Sequence, residues 1–137
     1  MKHKTRIQIR FKDIDKLGHV NNANHFTYLE LARIHYFDQL MGREIDWEKD
    51  GMIIASAKVD YKQPIYLSDK VFVYTQCANI GNKSFEFHYN IIREEKDGTE
   101  TVLATAQTVQ VCFDYKLNQT IPVPKEWKEK MEYYENS

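Results

Sequence analysis

Between residues 11 and 22 the chain reads Phe11-Lys12-Asp13-Ile14-Asp15-Lys16-Leu17-Gly18-His19-Val20-Asn21-Asn22, which sets two carboxylates, an imidazole and a glycine just ahead of a helical segment. Carboxylates in such a loop have three uses: they cap the helix that follows, hold a cation, or act on a substrate as base or nucleophile. The opening Asp13-x-Asp15-x-x-Gly18 imitates a calcium-binding loop. That loop also needs an oxygen ligand at its fifth position and a bidentate Glu at its twelfth, where this chain carries Leu17 and Asn24. Calcium is therefore not expected, and no set of His, Cys and Glu has zinc spacing. The residues by themselves leave capping and catalysis both open.

The elements that must position this loop are readable from periodicity. From Thr5 to Phe11 the apolar Ile7, Ile9 and Phe11 alternate with Arg6, Gln8 and Arg10, the period of a strand with one buried face. Lys12 to Asn24 loses that period and collects turn and cap residues. From Asn24 to Met41 the positions Phe26, Leu29, Ala32, Tyr36, Phe37 and Leu40 follow helical spacing. Glu30 and Arg33 are placed for an i,i+3 pair, and Gly42 stands at the C-cap. Further apolar residues on this helix, Tyr28, Leu31 and Ile34, predict that it is largely buried.

Four strand-like runs follow, Met52 to Tyr61, Lys70 to Ala78, Ser84 to Arg93 and Thr101 to Phe113. The turn-rich links at residues 79–82 and 96–99 predict antiparallel hairpins, and Pro64 marks a strand exit. Beyond Pro122 and Pro124, Trp127, Met131 and Tyr134 fall at i, i+4, i+7, a short amphipathic C-terminal helix. The order β-α-β-β-β-β-α predicts an α+β domain in which an antiparallel sheet curls around one long helix. A five-stranded sheet of this kind has two edges, so a homodimer or higher oligomer is expected.

Composition narrows the function classes. A chain of 137 residues suits a single domain, residues 1–137, with no second one. Nineteen Lys and Arg against twenty Asp and Glu give a net charge of −1, which leaves no surplus of positive charge for a nucleic-acid backbone. No apolar run approaches the ~18 residues of a membrane span, so a cytoplasmic protein is expected. The two cysteines, Cys77 and Cys112, are too few for a disulfide framework and are read as reduced, packed thiols.

The stretch Arg10-Phe11-x-Asp13-x-Asp15-x-x-Gly18-His19-Val20-Asn21-Asn22, continued by Tyr28-x-Glu30-x-Ala32-Arg33, resembles the N-terminal signature of the 4-hydroxybenzoyl-CoA thioesterase family of hotdog-fold proteins. Val59-Asp60-Tyr61-x-x-Pro64-Ile65, Asp69-x-Val71 and Gly81-x-Lys83-Ser84-Phe85 resemble later elements of the same family. The resemblance implies the hotdog fold, a long central helix wrapped by a curved five-stranded antiparallel sheet with a short C-terminal helix, in dimers that often pair into tetramers. It implies hydrolysis of an acyl-CoA or acyl carrier protein thioester without a cofactor, at a site between protomers.

By the same resemblance Asp15 is the catalytic carboxylate; Asp13, which the motif also contains, is read as structural on its suitability for a helix cap. The helix N-terminus offers free N–H groups and a positive dipole end for an oxyanion, and the backbone N–H of Asn22 is the matching donor. His19 and Asn21 shape the same pocket. Lys83 and Ser84, at a hairpin turn, are candidates for a phosphate of the pantetheine carrier. Two other hotdog activities fit less closely: binding an acyl thioester without cleaving it, and dehydration of a 3-hydroxyacyl thioester, for which His19 would be the only loop histidine.

Overall fold

The computed structural model describes residues 1–137. In chain order it contains β1 (His3–Ile7), a short 3-10 turn at Phe11–Asp13, α1 (Asn24–Met41), β2 (Gly51–Tyr61), β3 (Val71–Ile80), β4 (Ser84–Glu94), β5 (Glu100–Asp114), β6 (Gln119–Thr120) and α2 (Lys125–Asn136). All strand pairs are antiparallel in the order β1-β3-β4-β5-β2. The two-residue β6 adds a sixth strand beside β5 that periodicity does not reveal. Shifts in register at Ile54/Ser56, Cys77/Asn79 and Ile91/Ile92 mark β-bulges, which bend strands and increase twist. The result is the hotdog arrangement, with α1 held against the inner face of the sheet.

The inner face is apolar because strands alternate. Phe85, Phe87, Tyr89 and Ile91 of β4 are buried, as are Val71, Val73 and Cys77 of β3. α1 meets them with Tyr28, Leu29, Ala32, Tyr36, Phe37 and Met41. Leu29 and Phe37 are fully buried, and each such side chain contributes about 1.5–3 kcal/mol through its removal from water. α2 closes the far end by burying Trp127 and Met131, with the Trp127 ring 5.0 Å from that of Phe37. Glu135 of α2 reaches the sheet, where its Oε2 accepts from the Cys77 N–H at the β3 bulge and from the Tyr36 hydroxyl. No helix is long and apolar enough to cross a membrane.

Three sequence expectations change. The first strand ends at Ile7, not Phe11, because Arg10 and Asp13 bind one another and fold the chain into the 3-10 turn. Asp13 goes inside and Phe11 turns out, 83% exposed. Glu30 and Arg33 form no ion pair. Arg33 donates instead to the hydroxyl of Tyr89 at 3.3 Å, since that buried acceptor lies beneath it on β4. Finally, α1 is buried on one face only: Phe26, Leu31 and Ile34 are each more than two-fifths exposed in the single chain.

The two sheet edges are not alike. β1 is short and carries Lys4 and Arg6, features that discourage further strand pairing. β2 is eleven residues long, and Ile53 and Ile54 stand exposed along it with Ala55, Ser56 and Ala57. It is the open edge of the molecule.

Candidate active site

Gly18 determines the shape of the loop that carries Asp15. Ile14 and Val20 form an isolated antiparallel bridge, the Asp15 N–H donates to the His19 carbonyl at 3.0 Å, and the Gly18 N–H returns to the Asp15 carbonyl at 3.0 Å. This is a three-residue hairpin whose last position needs positive φ, and Gly18 supplies it at +85° without a Cβ penalty. The hairpin is pinned from outside by the Val20 N–H, which donates to the Ile65 carbonyl at 2.7 Å just beyond Pro64.

The two loop carboxylates have opposite environments. Asp13 is 1% exposed and saturated. It accepts from the Arg10 N–H and guanidinium and from the Tyr28 hydroxyl, and its backbone carbonyl accepts from the Asn21 N–H and the Asn24 side-chain amide. Burial alone would push its carboxyl up, but these hydrogen bonds and the Arg10 charge outweigh burial and hold it below the usual aspartate value. The same burial and the adjacent carboxylate push the Tyr28 phenol far above its ordinary range, so it remains a donor.

Asp15 is half-buried. One oxygen, Oδ1, accepts from the Leu17 N–H at 2.9 Å and so fixes the side chain. The other, Oδ2, has no partner in the chain. Asp15 therefore does not cap the helix: the N-cap residue Ala23 carries no side-chain cap bond, and Asn21 Oδ1 accepts from the Ala23 N–H at 2.9 Å in the turn that precedes α1.

Asn22 lies at the helix start with its N–H bonded to no acceptor in the chain. Its carbonyl is held twice, by the Tyr61 hydroxyl at 2.8 Å and by the His25 N–H at 3.3 Å. The His25 ring is buried and stands edge-on to Tyr61 at 4.7 Å, and burial lowers its pKa, so it is neutral near pH 7. Tyr61 belongs to the Val59–Ile65 segment, whose pattern assigns it no role. The contact joins residues 39 apart, and no local pattern encodes it. His19 shares the hairpin with Asp15, and its Nδ1 lies 3.2 Å from the Val20 carbonyl, which leaves Nε2 without a partner.

Asp15, His19, Asn21 and Asn22 thus come together in one loop. Lys83 and Ser84 do not join them in the single chain. Ser84 pairs with Val111, which in turn pairs with Ile53 near the start of β2, whereas Asn22 is held at Tyr61 at its end. The Lys83 ammonium lies 3.4 Å from the Thr120 hydroxyl.

A half-buried carboxylate with one oxygen uncommitted, in the same loop as an unpaired N–H just ahead of a helix N-terminus, suits acyl transfer from a thioester. Together with the hotdog fold it defines the class of hotdog thioesterases. Residues 9–131 match the family model of the thioesterase-like superfamily, and the chain belongs to that family. Over its whole length the chain is 32% identical to a thioesterase from Thermus thermophilus solved with coenzyme A and zinc, covering 98% of that protein with a TM-score of 0.82. It is 29% identical over 132 residues to the long-chain acyl-CoA thioesterase FadM of Escherichia coli K12, covering 93% of this chain and 96% of FadM. A mutant 4-hydroxybenzoyl-CoA thioesterase in complex with its thioester shares the fold, with a TM-score of 0.84 at 20% identity over 93% of this chain and 96% of that one. This chain holds no group of three or more His, Cys, Asp or Glu side chains arranged for a metal ion.

Proposed function

We propose that Asp15 and the Asn22 N–H carry the chemistry of this chain, which is the hydrolysis of an acyl-CoA thioester to a carboxylic acid and coenzyme A. The observation that carries this reading is the contrast within the loop: Asp13 is fully engaged, while Asp15 Oδ2 is uncommitted. Oδ2 takes a proton from water as that water attacks the thioester carbonyl, and the developing oxyanion is met by the Asn22 N–H at the positive end of α1. Collapse of the tetrahedral intermediate expels the thiolate of coenzyme A. An ordinary thiol of pKa ~8.5 leaves without a strong acid, so the loop needs no second catalyst for the leaving group. His19 and Asn21 border the same space.

The active form is a homodimer joined along β2, in the cytoplasm. The long, apolar, unpaired edge of β2 supports this, and the two buried free thiols suit a reducing compartment. Antiparallel pairing of two β2 strands brings the Gly51 end of one beside the Tyr61 end of the other. It therefore carries the Lys83–Ser84 hairpin of one protomer toward the partner's catalytic loop, where the ammonium meets a phosphate of coenzyme A. Pairing of such dimers into tetramers remains part of the expectation from the sequence.

Wild type and Asp15→Asn are compared on a panel of acyl-CoA thioesters with detection of free thiol. Turnover by wild type and a loss of at least ~100-fold in the variant is expected. Equal turnover by the two proteins removes Asp15 from the mechanism. Single turnover in oxygen-18 water separates the two forms of carboxylate chemistry: label confined to the product acid supports water activation, whereas label returned to Asp15 shows direct attack on the carbonyl.

A further inference from the structure

The Asn21 carbonyl and the Asn22 N–H belong to one planar trans peptide, so they point in opposite directions and turn together. Whatever holds that carbonyl therefore aims the N–H. The Asn24 N–H donates to the Asn21 carbonyl at 2.9 Å, and the His25 imidazole lies beside the same carbonyl and that of Asn22. His25 is thus in contact with the peptide that carries the oxyanion donor and with the one after it.

The ring is placed unusually for a histidine. It is 2% exposed, and its Nδ1 is buried without a hydrogen-bond partner, a condition that native structures seldom keep without a use. Tyr61 of β2 stands edge-on to it at 4.7 Å, and Tyr28, three residues further along α1, lies 6.1 Å away. Burial holds the ring below the ordinary histidine pKa. The Asn22 and Asn21 carbonyls act the other way, because they accept from the protonated form, and His19 of the hairpin adds to the lowering by like charge. An imidazolium here would have an N–H on both ring nitrogens and would draw these carbonyls toward it. Drawing the Asn21 carbonyl from the Asn24 N–H turns the Asn22 N–H by the same angle.

We propose that His25 is a positioning residue for the oxyanion donor: its neutral ring, packed between Tyr61 and the Asn21–Asn22 peptide, keeps the Asn22 N–H aimed at the substrate, and a proton on the ring turns that N–H away. The inference rests on the hydrolysis reading above and deepens it. His25 touches no reacting atom in this scheme and acts through Asn22. Turnover then depends on a proton that neither Asp15 nor the substrate carries.

The test compares wild type, Asp15→Asn, His25→Phe and His25→Gln, with folding checked by thermal melts. His25→Gln keeps polar atoms at the site and takes no proton, so the comparison survives if the phenylalanine variant is unstable. The first readout needs no catalysis: the Asn22 amide and the histidine rings are followed by NMR in the ligand-free proteins from about pH 8 to about pH 4.5. In wild type and Asp15→Asn the Asn22 amide should titrate with the midpoint of the His25 ring, below the ordinary value of ~6.5, and in both His25 variants that transition should vanish. An Asn22 amide that does not titrate, or that follows the His19 ring, overturns the proposal. The second readout is kcat and KM over the same range for the acyl-CoA that wild type hydrolyses best. Wild-type kcat should fall roughly tenfold between about pH 7.5 and about pH 5 with KM within about twofold, whereas the His25 variants should begin roughly threefold lower and stay level. A fall in kcat that survives in both folded His25 variants belongs to another group and overturns the proposal, as does a fall confined to kcat/KM through KM. If no acyl-CoA is turned over, the hydrolysis reading fails, and the amide titration alone supports or overturns the coupling of His25 to Asn22.

Discussion

The Tyr28 hydroxyl donates to Oδ2 of Asp13 at 2.7 Å, inside the first turn-and-helix unit of the chain. This bond completes the engagement of one loop carboxylate that Arg10 begins, and it leaves Asp15 as the one available to a substrate. Two aspartates two residues apart thereby acquire different surroundings, one saturated with donors and one with an uncommitted oxygen.

The Asp13 cluster should be visible in the acid limb of stability. Its carboxyl lies lower in the folded state than in the unfolded chain, so it stabilises the fold above the unfolded value and that contribution is lost as pH falls through the folded value. Urea midpoints of wild type should therefore decline below about pH 4. Asp13→Asn should be less stable at neutral pH and show a shallower decline, and an equally steep limb in the variant would place the acid sensitivity elsewhere.

Asp15→Asn should separate catalysis from folding. The asparagine amide oxygen can still accept the Leu17 N–H that Asp15 Oδ1 accepts now, so the hairpin is preserved. A melting temperature within about 2 °C of wild type, with kcat down at least ~100-fold, is the expected pair of results. A large drop in melting temperature would show that the charge also holds the loop.

The Tyr61 hydroxyl holds the Asn22 carbonyl, so in the proposed mechanism it acts through Asn22. Tyr61→Phe removes the hydroxyl that holds the Asn22 carbonyl and keeps the ring that packs on His25. The expected effect is a three- to tenfold fall in kcat with KM nearly unchanged, about the worth of one hydrogen bond. A change confined to KM would instead assign the hydroxyl to substrate binding.

Gly51→Ala forces a methyl against the Trp47 backbone and the Tyr115 ring. Overpacking of this kind costs about 1–3 kcal/mol, read as a lower urea midpoint with unchanged slope. Because Tyr115 is tethered at both its N–H and its hydroxyl, relief by simple rotation of the ring is limited.

Glu135 ties α2 to the sheet through a single oxygen that accepts from both Tyr36 and Cys77. Glu135→Ala leaves a fully buried phenol and a bulge N–H without their acceptor, for a loss of about 2 kcal/mol or more. The Cys77 thiol, which burial pushes up to about 12, reports the outcome: it should be inert to thiol reagents in wild type and accessible in the variant if α2 lifts away.

Local sequence determined what local forces control. The bounds of α1 follow from its 3.6-residue period and the Gly42 stop, and β4 follows from strict alternation, because a side chain's face depends only on its place in its own element. The segment carrying Asp15 was legible as a turn-rich loop before the helix, but its closure into a hairpin by the Ile14–Val20 bridge, with Gly18 at positive φ, was not. Tertiary structure alone decided the rest. Ile9 and Phe11 continue the alternation of β1, yet Arg10 and Asp13 bend the chain away, and Tyr28, fifteen residues on, secures that bend. The Tyr61 bond to Asn22 and the union of Arg33 with Tyr89 in place of Glu30 both join distant segments. Such contacts depend on where whole elements dock, and that is set by the summed packing of α1 and the sheet, not by the spacing of any one motif.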